Sequence, residues 1–244
     1  MPERINSKKI TSSSEKNTFR LGFWSAVLIT VLSSAALVIG LMTPPRSGPF
    51  CQKNCITAPY TEGAAFVPKD YLWMYPAICL ALVFIILITC IHRQASENKK
   101  IFSQIGMIFG AISALLLSMN YYIQISVMQT SFLKGETEAL SLFSQYNPHG
   151  LFIALEDLGY LLMSLAFLFL AFIFSKQKKQ ERRIRRLFIA DFILATSAFI
   201  ILNIIFGMDI EYLFECAIIL INWPVLIISG ILLSRYFKSA ESTQ

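Results

Sequence analysis

Apolar residues run along this chain in six long blocks, separated by short polar ones. The blocks lie near 21–43, 71–91, 103–128, 151–174, 187–207 and 210–234. Each approaches or exceeds the roughly 20 residues an α-helix needs to cross about 30 Å of hydrocarbon. The pattern predicts an all-α polytopic membrane protein, a bundle of six transmembrane helices over 21–234. A basic tail over 1–20 and a short tail over 235–244 flank it. The first block is too long for a signal-peptide core, so it is expected to stay as an uncleaved helix.

Composition agrees with the pattern. The chain is 55% apolar, and its 15% charged residues fall well below the quarter or so of a soluble domain. The net charge of +6 is unevenly spread. Arg4, Lys8, Lys9, Lys16 and Arg20 precede the first span; Arg93, Lys99 and Lys100 follow the second. Lys176, Lys178, Lys179, Arg182, Arg183, Arg185 and Arg186 follow the fourth; Arg235 and Lys238 follow the sixth. Only Arg46, Lys53, Lys69 and Lys134 fall on the other side. The positive-inside rule therefore predicts both termini in the cytoplasm and accounts for the basic excess without nucleic acid. Lys176–Arg186 could also attract anionic lipid, at about 1 kcal/mol per basic residue. The compact chain suggests a prokaryotic cytoplasmic membrane.

The longest connection, about 44–70, is rich in Pro and Gly and holds Cys51 and Cys55. A local disulfide is expected there, on the oxidising side. No second Cys pair or His completes a metal site. Cys79, Cys90 and Cys216 read as small buried hydrophobes, and Tyr71, Trp73 and Tyr75 suit an interfacial aromatic belt. Ala139–Phe143 suggests a short interfacial helix. A tight hairpin about Gly207–Asp209 should join the last two spans, and Pro224 should kink the sixth.

The candidate chemistry is acidic. Glu156, Asp157, Asp191, Asp209, Glu211 and Glu215 lie in or beside the apolar blocks, with no Lys or Arg among them. A carboxylate at the centre of a bilayer is unfavourable by roughly 2.5–3.5 kcal/mol even on the lenient scale, so such groups should face a protein interior or a wet cavity. Helical spacing groups Asn120 with Gln124, His149 with Glu156 and Tyr160, and Glu211 with Glu215 and Asn222; Asn203 adds to these from the fifth span. With the predicted topology Gln124, Glu156, Asn203 and Glu215 fall in the outer half of the bilayer, and Asn120 and Asn222 nearer the middle. The expectation is an outward-facing polar pocket among helices three to six. Glu156 and Glu215 would share a proton, bind a cation, meet a cationic ligand or stay neutral. The amides could equally serve as interhelical glue. Asp209 and Glu211 could sit in water, and Asp191 is expected to pair with a basic residue near its boundary.

Three function classes follow. The first binds, and could carry with proton coupling, a small molecule, lipid or cation. The second is a structural, accessory or sensory membrane protein. The third is an enzyme using a Glu/His acid–base pair on a lipid-like substrate. Nothing calls for a cofactor: no nucleotide-binding loop, dinucleotide fingerprint or nucleophile elbow occurs.

Overall fold

A computed structural model describes residues 2–138 and 140–241, with side chains from Glu15 onward. The side chains of Arg4, Lys8 and Lys9, and the whole of Ala139, lie outside the described residues. Six helices are long and apolar enough to cross a membrane. We label them α1 (Pro2–Met42), α2 (Met74–Arg93), α3 (Lys100–Ile123), α4 (Leu151–Ala171), α5 (Lys179–Phe206) and α6 (Leu213–Glu241). α3 runs on through a π-helical turn, Gln124–Met128, into a last α-helical segment, Gln129–Lys134. No strand occurs among the described residues.

The helices outrun the apolar blocks. α1 continues back through the stretch expected to be a tail, and α5 takes in the basic run from Lys179 to Arg186. Long basic side chains suit a helix that leaves the hydrocarbon, so charge marks the apolar boundary and not the helical one. α4 starts late for a local reason. Pro148 disfavours the helical conformation at Asn147, and Asn147 Oδ1 instead accepts the His149 N–H at 2.9 Å. Gly150 is extended, and the helix begins at Leu151. α6 continues through Pro224.

Consecutive helices pack on each other in a ring. α6 closes the ring against α1, and α4 also crosses to α6. At one end the chain bears its long connections, including the one-turn helix Leu140–Phe143. We call this the loop end and the opposite end the basic end. The outward surface is apolar: Ile108, Leu115, Ile193, Leu194 and Ile201 are all exposed. Such a surface suits hydrocarbon and not water.

α1 and α6 meet most closely towards the basic end. A Cβ on Gly230 would lie 2.6 Å from the Ala26 carbonyl oxygen, so only glycine permits this approach. One turn or two further along, Phe237 fills the space above Gly22. The same two helices part towards the loop end.

Two expectations for α2 change. Tyr71 and Trp73 are buried, leaving Tyr75 exposed as the residue fit for an aromatic belt. Cys79 faces outward instead of inward, while Cys90 is buried and Cys216 half-buried. In both cases the apolar block is uniform enough that its sequence does not reveal which face turns inward.

Candidate functional site

Where α1 and α6 part, they leave a cavity of about 330 Å³. Leu37, Gly40 and Leu41 of α1 line one side and Glu215, Ile219, Leu220 and Trp223 of α6 the other; Trp73 reaches it from the start of α2. The rim residues Leu41 and Leu220 are 71% and 59% exposed, so the space opens sideways through the apolar surface. The expectation placed an open space among helices three to six. This cavity lies on the far side of α6, and polar groups of α3, α4 and α6 pack against one another.

Those groups form a directed chain. The Trp223 indole N–H donates to the Tyr160 hydroxyl at 2.5 Å. The hydroxyls of Tyr160 and Tyr121 are 3.0 Å apart, and Tyr121 donates to Glu156 Oε1 at 2.5 Å. Since the proton of Tyr121 is committed to Glu156, Tyr160 must be the donor between the two phenols. Every hydrogen bond thus points towards Glu156, and successive bonds of one sense strengthen each other. Glu156 is fully buried, and no N–H or hydroxyl reaches its other oxygen, Oε2. The carboxyl of Glu215 adjoins that of Glu156. Glu215 itself is half-buried and faces the cavity. Asp157 lies close to the pair, with a buried Oδ1 that also lacks a donor.

The loop end caps this arrangement. Arg46 Nε donates to Asp70 Oδ2 at 3.0 Å and Nη2 to Oδ1 at 3.4 Å. The guanidinium also lies 3.8 Å from the centre of the Phe66 ring. Tyr146 donates to the same Asp70 at 3.2 Å. Ser47 and Tyr212 share a 2.8 Å hydroxyl contact, and Tyr212 donates to the Gln145 carbonyl at 3.0 Å. Gly48, with φ +69°, lies against the Tyr212 ring, where any side chain would collide. Burial raises the Tyr146 and Tyr212 hydroxyls above their ordinary pKa, so both remain donors at neutral pH. Cys51 and Cys55 form a disulfide with Cα atoms 5.8 Å apart.

The sequence-predicted residues separate into three groups. Glu156, Glu215 and Tyr160 come together. Asn120, Gln124 and Asn222 are buried nearby but already engaged. Asn120 donates to the Phe152 carbonyl at 2.9 Å, Gln124 to the Phe143 carbonyl at 2.5 Å, and Asn222 exchanges hydrogen bonds with Ser164. The remainder lie elsewhere. His149 precedes α4 and is exposed, so it does not share a helical face with Glu156. Asn203 is exposed and caps its own helix turn through the Phe199 carbonyl, because that face of α5 looks outward. Glu211 is half-buried in the turn before α6, beside Gly48. Among the described residues Asp191 makes no ion pair. It is fully buried beside Ser164, and Arg186, the last residue of the basic run, lies five positions back and so on another face of α5.

Tyr121, Trp223 and the Arg46–Asp70 pair were not singled out from the sequence, and Trp73 was read only as a belt residue. Tyr121 adjoins Asn120, a signal that was present. Arg46 could be recognised only once its loop folded back. No group of three metal-ligating side chains forms among the described residues. No family model matches the chain, and neither a curated protein nor a solved structure matches it.

Proposed function

We propose that this integral membrane protein binds a small amphipathic molecule in the lateral cavity between α1 and α6. The observation that carries the reading is the cavity's make-up. Its walls are aliphatic and aromatic, it opens through the apolar surface, and its inner wall holds Glu215 with Glu156 behind. Small-molecule sites have this character: mostly apolar, with a few convergent polar groups, and about 300–1,000 Å³ in volume. An alkyl chain would lie along Leu37, Leu41, Ile219 and Leu220, leaving its polar head beside Glu215 and the capping loops. Binding, not catalysis, fits best. His149 is exposed, which removes the only acid–base partner an enzyme reading had for Glu156.

The protein's own tryptophans supply the test. Of its three, Trp73 and Trp223 line the cavity and Trp24 is exposed. A Trp24→Phe protein in lipid nanodiscs would be titrated with a brominated ten-carbon alcohol, a collisional quencher. Saturable quenching is expected, and it should weaken when Ile219→Phe narrows the cavity. Quenching that rises linearly in both proteins would show only partition into lipid and would overturn the proposal.

A further inference from the structure

We infer that the ligand taken by this cavity is an amphipathic amine, its ammonium held by Glu215 beside the indole of Trp73. The inference rests on the binding proposal above and narrows it.

Charge balance gives the sign. Three charged side chains line the cavity: Arg46, Asp70 and Glu215. Arg46 is already matched. Asp70 accepts from two of its nitrogens, and Phe66 covers its face. A bidentate pair of this kind leaves little charge to offer a ligand. Glu215 has no such counterpart: no ion pair satisfies it among the described residues, and its hydrogen-bonding neighbour is another carboxyl, that of Glu156. The lining therefore carries one carboxyl in excess. Adjacent carboxyls repel when both are ionised, and an ammonium between chain and cavity relieves that repulsion while supplying N–H donors.

The aromatic groups favour the same ligand. Trp73 and Trp223 both line the cavity with Glu215, their ring centroids 6.0 Å apart; Trp223 is almost wholly buried, so Trp73 is the ring with surface to offer a cation. Indole faces attract cations, most strongly where water is scarce. The Trp223 N–H is turned away from the cavity, to Tyr160, so it is not available to an anionic head. Tyr121 packs edge-on against Trp73, which fixes that ring in place. Glu156 acts as a positioning residue: its carboxyl adjoins that of Glu215, and the donor chain through Tyr121 holds it in place.

The experiment compares decylamine, decanol and decanoate, three heads on one tail, as competitors of the brominated alcohol in the Trp24→Phe nanodisc protein. Protein-free nanodiscs correct for partition. Decylamine is expected to compete at least tenfold more strongly than decanol, with decanoate the weakest. In Glu215→Gln the amine's advantage over the alcohol should be lost. The wild-type ratio needs no variant, so it stands even if the substitution impairs folding. Equal competition by amine and alcohol would overturn the amine inference and leave the binding proposal intact. Decanoate as the strongest competitor would overturn it in favour of Arg46 as the anchor. If the brominated alcohol itself never saturates, the binding proposal fails first and the amine inference with it.

Discussion

Two buried acidic regions, one around Glu156 and one around Asp191, show how differently one bundle can treat a carboxyl. Both lie at helix contacts, and both leave carboxyl oxygens without a donor. Around Glu156 the protein supplies an oriented chain of indole and phenols, a second carboxyl and an adjoining cavity. Around Asp191 it supplies Ser164, which is already paired with Asn222, and a closed wall in which Phe167 stacks on Phe188 at 4.4 Å. Burial of an acid does not by itself make a site. What distinguishes the first region is open space beside the group and a reason for its geometry.

The largest effect should come from the wall that the first region has and the second lacks. Trp223→Ala removes a fully buried ring and the donor to Tyr160, and should lower stability by about 3–5 kcal/mol. Thermal unfolding in detergent measures it; a loss below about 1 kcal/mol would mean that Trp223 is not a keystone of the region.

Next is a pair of opposite signs. Tyr121→Phe strips Glu156 Oε1 of its donor and should lower stability by about 1–3 kcal/mol, the penalty for stranding a buried acceptor. Asp191→Asn replaces a carboxyl without partners by an amide able to donate to Ser164 or Asn222. It should raise stability by about 1 kcal/mol. The same unfolding assay reads both, and effects of equal sign would erase the distinction drawn between the regions.

The smallest effect serves as a control. Asn203→Leu changes an exposed position on the outer face of α5 and should shift stability by no more than about 0.5 kcal/mol. Quencher affinity should not change. A clear loss of affinity would bring Asn203 back to the binding site.

Six apolar blocks were enough to place six helices, because hydrocarbon thickness sets a length that few other folds need. The contact of Glu156 with Tyr160 was within reach for a similar reason, since residues four apart on a helix share a face. The failures have physical causes too. His149 and Asn203 depended on where α4 starts and which way α5 turns, and uniform apolar sequence fixes neither. The π turn at Gln124–Met128 adds a residue to one turn and has no mark in the sequence. The cavity was out of reach altogether, because it arises from a pairing of α1 with α6 across nearly the whole chain.

That pairing has a consequence for how the protein comes into being. The two walls of the cavity are separated in the chain by four other helices, so for most of synthesis one wall waits in the membrane without the other. The flank of α1 that carries Ala26 and Thr30 must stay available until Gly230 arrives to lock against it. A ligand taken up between these helices can therefore meet only a chain in which both are in place, and its binding would report that α6 has docked on α1.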